Sequence, residues 1–156
     1  MLKSIYGSFT ELTGKDQHMR IEKSCGAVIF TYKDGQRLYL IEHTASGHTS
    51  IPKGHVEGEE TEVQTALREI KEETNLDVEL DTGFRFCTHY CTRKGKEKDV
   101  VFFVAVPKTW DLKPQEKEVK SFEWLRFEQA LQTLEYPAHI EALRKADEYL
   151  QNKPRR

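Results

Sequence analysis

The run Cys25-Gly-Ala-Val-Ile-Phe-Thr-Tyr32 is β-rich and apolar almost without interruption. A strand with one wet face alternates polar and apolar residues, so this run predicts a strand covered on both faces. Asp34-Gly35 follows and leads into a second strand-like run at Arg37–Ile41, a hairpin signature. Loop-like residues extend from Thr44 to Gly58, with Gly47, Pro52, Gly54 and Gly58 among them.

A helix starts at Thr61, which can cap it, and Gln64 three residues on completes a capping box. Val63, Ala66, Leu67 and Ile70 form an apolar stripe at i, i+3, i+4 and i+7. Asn75, a residue that tolerates the left-handed conformation, ends the helix. Strand-like runs follow at Asp77–Leu80, Phe84–Cys91, Val100–Val106 and Ser121–Leu125, and a Lys94-Gly95-Lys96 turn links the middle pair. Phe127–Leu134 reads as a short helix. His139–Leu150 reads as a longer one with Ala142, Leu143, Ala146 and Leu150 inward. Strands precede and separate helices without regular βαβ alternation, so the fold class is α+β, a mixed sheet flanked by helices.

The length of 156 residues suits one domain, and 37% apolar residues supply its core. Residues 1–20 read as an N-terminal arm or extra strand, residues 21–152 as the domain, and residues 153–156 as a basic tail. A formal net charge of −2 argues against a dedicated duplex binder, which would be strongly basic. No apolar run approaches the ~18 residues of a membrane span, and the first 20 residues lack the apolar core of a secretory signal. Cys25, Cys87 and Cys91 are too few for a disulfide framework. Cys87, His89 and Cys91 share a strand face, but zinc would need a fourth ligand, so sheet packing is the expectation there. These features describe a soluble, cytoplasmic protein, a monomer or weak dimer.

Between Glu57 and Glu73 stand seven glutamates, offset only by Arg68 and Lys71. At about 100° per residue, Glu62, Glu69 and Glu73 stack on one line bordering the apolar stripe, while Glu72 lies farther round the helix. Three carboxylates thus edge the buried face instead of pointing straight out to water. Like charges at i,i+4, such as Glu69 and Glu73, cost about 0.2–0.5 kcal/mol. An anion in the last turn opposes the macrodipole by about 0.3–1 kcal/mol. A sequence that breaks local rules in this way is serving a site, and a hard divalent cation reverses each penalty.

The spacing sharpens this reading. Gly54, five residues, Glu60, seven residues and then Arg68-Glu69-Ile70-Lys71-Glu72-Glu73-Thr74-Asn75-Leu76 resembles the signature of the Nudix hydrolases. The departure is Asn75, where the family has glycine; at a helix C′ position asparagine supplies the same turn. The resemblance implies an α/β/α sandwich with a mixed central sheet and a loop–helix–loop metal site. It also implies hydrolysis, dependent on Mg2+ or Mn2+ in its place, of nucleoside diphosphates linked to another moiety. Glu69, Glu72 and Glu73 become metal-binding acids, joined by a main-chain carbonyl at Lys53 or Gly54. Glu60 and Asn75 become structural parts of the motif and Arg68 the ion-pair partner of the acids. Glu72 or Glu69 is the candidate general base, with Glu118 a second.

Features outside the box resemble the asymmetric diadenosine tetraphosphate hydrolases: Pro52-Lys53-Gly54-His55-Val56-Glu57, Gly83-Phe84-Arg85 leading to Tyr90, Lys98 before Val100-Val101-Phe102-Phe103, and Glu118 before Trp124-Leu125. This resemblance implies cleavage of a P1,P4-dinucleoside tetraphosphate to ATP and AMP. Lys53, Lys98 and His55 would meet phosphate, Tyr90 would donate its hydroxyl, and Tyr136 would stack on adenine. Two departures stand out. Gly58-Glu59 replaces the subfamily's Pro-Gly, and His48-Thr49-Ser50-Ile51 carries no tryptophan before the Pro-Lys-Gly-His. The alternatives are another polyphosphate substrate (a nucleoside triphosphate, an RNA 5′ end, an inositol pyrophosphate), or a non-catalytic Nudix domain that senses nucleotides or binds a protein.

Overall fold

A computed structural model of the chain describes residues 21–154; the arm or strand expected at residues 1–20 lies outside the described residues. The elements run β1 (Glu22–Lys33), β2 (Gln36–Thr44), β3 (Thr49–Ser50), β4 (Lys53–His55), α1 (Glu62–Thr74), β5 (Val78–Cys91), β6 (Glu97–Pro107), β7 (Val119–Leu125), α2 (Phe127–Thr133) and α3 (Pro137–Gln151).

β1 organises the sheet by changing partners along its length. Its first part, Glu22–Ile29, lies parallel to β6 and, at Ser24–Gly26, antiparallel to β4. Its last residues, Phe30–Lys33, pair antiparallel with β2 through a turn in which Asp34 (φ 52°) and Gly35 (φ 78°) are both left-handed, the conformation a two-residue hairpin needs. The strand order β3-β2-β1-β6-β5, with β7 on β2, makes a mixed sheet.

The expectation that both faces of β1 are covered holds from Cys25 to Phe30, whereas Tyr32 at the end of the run is 42% exposed. Cys25, Ala27 and Ile29 pack with Val101, Phe103 and Ala105 of β6 against Ala66 and Ile70 of α1. Val28 and Phe30 pack with Val100, Phe102 and Val104 against Ala142, Leu143, Ala146 and Leu150 of α3. The period-2 alternation thus feeds two cores, one on each side of the sheet. The architecture is an α/β/α sandwich.

The structure refines several of these expectations. The loop expected over Thr44–Gly58 contains β3 and β4, pairings too short to show as a periodicity. The strands expected at Asp77–Leu80 and Phe84–Cys91 are one strand, β5, whose register slips between Asp81 and Phe86. Cys87, His89 and Cys91 lie in the sheet as expected, paired with Val101, Asp99 and Glu97 of β6, but both cysteines are exposed and His89 stands 2.6 Å from the Asp99 carboxylate. Lys153, expected in a solvated tail, pairs with Asp81 and lies 5.7 Å from the Tyr149 ring centroid.

Helix α1 has the expected capping box: Gln64 N–H donates to Thr61 Oγ1 (3.1 Å) and Thr61 N–H to Gln64 Oε1 (2.9 Å). Its end is the expected left-handed Asn75 (φ 67°). Its buried face, however, is rotated from the apolar stripe. Thr65, Ala66, Glu69, Ile70, Glu73 and Thr74 are buried, whereas Leu67 is 39% exposed. Two carboxylates therefore occupy the middle of the buried face rather than its border.

Candidate active site

Gly54 explains how a carboxylate fits at the centre of a helix–strand interface. A β-carbon built there would stand 1.9 Å from Glu69 Cδ and 2.0 Å from Oε2. Only a residue without a side chain lets the β4 backbone close over that group. Gly26 on β1 is equally constrained, because its β-carbon would meet Pro52 O at 2.0 Å. Gly26 thus lets β4 close on β1, and Gly54 lets β4 close on α1.

Arg68 stitches the loop to the helix. Its Nε donates to Glu60 Oε2 (2.7 Å) and its Nη2 to Glu60 Oε1 (2.9 Å) and His55 O (2.8 Å). Its Nη1 donates to Glu69 Oε1 (2.7 Å) and Glu72 Oε2 (3.2 Å). The bidentate grip of Arg68 holds the Glu60 carboxyl at about 2, below the usual carboxylate range. Glu60 is further fixed by Thr65 Oγ1 and Glu57 N–H.

Behind this surface lies an acid that the sequence reading did not single out. Glu42 of β2 is 2% exposed; Ser50 Oγ donates to its Oε2 (3.1 Å), while its Oε1 is buried with no hydrogen-bond partner among the described residues. Burial raises the affinity of Glu42 for a proton. Burial, reinforced by the Glu42 charge alongside, does the same to Glu73. Burial also raises Glu69, against the pull of Arg68. Such a group of carboxyls is costly in the absence of positive charge.

These acids line a pocket of about 260 Å³ with Lys53, Gly54, His55, Lys98 and Glu118. Glu118 is exposed at its margin, anchored by the hydrogen bond from Ala45 N–H to its carbonyl (2.9 Å). A second cavity, about 740 Å³, shares Thr44, Ser50, Lys53 and Lys98 with the first and continues to Tyr90, Tyr136, His139 and Glu141. Of the residues singled out from sequence, Lys53, Gly54, His55, Glu69, Glu73, Tyr90, Lys98, Glu118 and Tyr136 therefore line one cleft. Glu72 does not. It is half-exposed on the outer side of α1, against Arg68.

Glu42, Ser50 and His139 are among the cleft residues missed in the sequence. Glu42 left one signal, an acid directly following the apolar Leu40-Ile41 in a strand. His139 left another, by standing three and four residues before Ala142 and Leu143 on the apolar stripe of α3. It is buried, and burial lowers it to about 3, so it is neutral. Its Nδ1 accepts from Ile51 N–H (3.0 Å). Its ring lies 5.3 Å from both Phe102 and Tyr136, and His48 stands 5.7 Å from Tyr136 on another side.

Comparison with known proteins places this geometry. The NUDIX domain family matches residues 23–146. The chain belongs to the Nudix family. The asymmetrical bis(5'-nucleosyl)-tetraphosphatase of Caenorhabditis elegans is 31% identical over 134 residues, covering 83% of this chain and 97% of the relative. The rat protein of the same name is 29% identical over 144 residues, covering 85% and 97%. A crystal structure of a C. elegans Ap4A hydrolase binary complex superposes with a TM-score of 0.78 at 27% identity, over 85% of this chain and all of that one. The chain is thus a Nudix hydrolase, an enzyme that cleaves phosphoanhydride bonds in small nucleotide substrates.

The Nudix box fits a hard divalent cation of the kind the family uses. Its donors are oxygens only, without soft ligands. The buried Glu42 and Glu73 carboxyls stand against each other, a pair whose repulsion a cation would relieve. Among the described residues no three acidic, histidine or cysteine side chains stand in a ready-made metal cage; Glu69 and Glu72 are instead turned to Arg68. Among the described residues, too, no helix is long and apolar enough to cross a membrane.

Proposed function

We propose that this Nudix hydrolase cleaves a P1,P4-dinucleoside tetraphosphate to ATP and AMP, with residues 21–152 as the catalytic domain. The observation that carries the reading is the continuity of the cleft. An acidic pocket opens, past Lys53 and Lys98, into a cavity walled by Tyr90, Tyr136 and His139. A polyphosphate needs positive charge along its length and an apolar ring surface at its nucleoside end, in that order. The names of the relatives agree with this substrate.

On this reading Glu69, Glu73 and a main-chain carbonyl of Lys53 or Gly54 would hold Mg2+, or Mn2+ in its place, and Glu72 would join them by turning from Arg68. Bound there, such a cation would supply charge to offset the phosphates and to acidify the attacking water. Lys53 and Lys98 bind phosphate oxygens, with His55 at the edge and the Tyr90 hydroxyl as a further donor. Tyr136, braced by His48 and His139, offers its ring to adenine. Arg68 orients Glu69 and Glu72 through its planar fork. Because Arg68 engages both, Glu118 is the acid left to accept the proton of the water. Water then attacks one phosphorus, the bridging P–O bond breaks, and ATP and AMP leave.

The test is hydrolysis of diadenosine tetraphosphate with Mg2+ in 18O-labelled water, products separated and weighed. ATP and AMP are expected, with the label in one of them. Glu73→Gln should lose on the order of 10²-fold in kcat. Two ADP molecules, or no turnover while another nucleotide is hydrolysed, would overturn the assignment.

A further inference from the structure

Lys98, one of the two cations shared by both parts of the cleft, already has an anion beside it. Glu22 is paired with it in register across β1 and β6, and Tyr90 follows in the same row on β5. Glu22 Oε2 lies 3.5 Å from Lys98 Nζ and 3.6 Å from His55 Nε2, and Lys96 Nζ donates to its Oε1 at 3.2 Å. One carboxylate thus draws together three cationic or potentially cationic groups at the edge of the cleft. Two of them, Lys98 and His55, line the acidic pocket. The Glu22 side chain is 35% exposed, and among the described residues these are the groups that hold it.

We infer that Glu22 is an internal counter-anion that stands in for a substrate phosphate and must release Lys98 before a polyphosphate can bind. The inference rests on the proposed reading of the cleft and deepens it, making Glu22 a residue that sets the affinity for polyphosphate charge. The lysine hydrogen bond that keeps Glu22 ionised also keeps the competitor permanently charged. A phosphate brings more charge and more acceptor oxygens than a carboxylate, so it wins the exchange, but at reduced net affinity. The opposite role, in which Glu22 props Lys98 in a productive position, predicts the opposite sign.

The experiment compares wild type, Glu22→Gln and Glu97→Gln, the last removing a neighbouring charge that contacts His89 rather than the lysines. Exposed ion pairs of this kind are individually weak, so Glu22→Gln should lower KM for diadenosine tetraphosphate about threefold to tenfold, with kcat changing less than KM. The effect should shrink below about twofold at 0.5 M salt, where charges are screened over a few ångströms. Glu97→Gln should move KM by less than half as much. Binding of inorganic tripolyphosphate, followed by calorimetry, should tighten in Glu22→Gln by the same factor. That arm reads the counter-anion even if the proposed substrate proves wrong. A KM that rises or stays constant in Glu22→Gln, or an equal shift in Glu97→Gln, overturns the inference.

Discussion

Replacing Gly54 by alanine probes the site with one methyl group. The added carbon would sit 1.9 Å from Glu69 Cδ and 2.4 Å from Oε1. Carbon atoms in contact stand about 3.5–4.0 Å apart, so the carboxylate must retreat by roughly 1.5 Å. It cannot do so freely, because Arg68 Nη1 grips it at 2.7 Å and the group is nearly buried. Overpacking of this kind costs about 1–3 kcal/mol. A displacement of about 1 Å at a positioning group costs on the order of 10²-fold in rate. Gly54→Ala should therefore remain folded in urea titrations, with a lowered midpoint, while kcat falls about 100-fold. Gly35→Ala is the stability-matched control: its left-handed turn (φ 78°) disfavours alanine by about 1 kcal/mol far from the cleft, so it should lose stability and keep its rate. If folded Gly54→Ala keeps kcat within about threefold of wild type, the close approach to Glu69 has no bearing on catalysis and the reasoning fails.

Two further variants address the charges themselves. Glu42 and Glu73 bind protons more tightly folded than unfolded, where carboxyls titrate near 4.3. Their contribution to stability is therefore complete below about pH 4 and is lost as pH rises through their elevated folded values. Without divalent ions the melting temperature should fall from pH 5 towards pH 8, and Glu73→Gln, neutral throughout, should raise it by about 2–4 °C at pH 8; identical melting of the two proteins at pH 8 contradicts this. Arg68→Lys keeps the charge but loses the fork that reaches Glu60, Glu69, Glu72 and the His55 carbonyl at once. Its kcat should drop about tenfold or more with a lower urea midpoint, and wild-type kinetics would show that charge alone suffices.

Much of the fold was legible because it follows from local rules. The uninterrupted run at Cys25–Tyr32, the Thr61/Gln64 box and the left-handed Asn75 each name a conformation without reference to the rest of the chain. The box acids were legible from spacing. What escaped depended on contacts between distant residues. Strand β4 lies against β1 because Gly26 lets the Pro52–Lys53 backbone come close, which no periodicity reports. The helix stripe pointed about one residue off because an apolar-only criterion cannot expect Glu69 and Glu73 to be buried while Leu67 is not. Glu42 lies 31 positions before Glu73, and only folding reveals that they share a site.

Calorimetric titration of the metal-free protein with Mn2+, at two pH values, examines the heart of the account. Saturable binding with release of protons is expected, more at pH 6 than at pH 9, because ligating carboxyls must give up what they hold. The affinity should collapse in Glu69→Gln and Glu73→Gln while both stay folded. Undetectable ion uptake by the wild-type protein, or binding indifferent to both substitutions, would mean that the buried carboxyls of α1 serve some purpose other than gripping a cation.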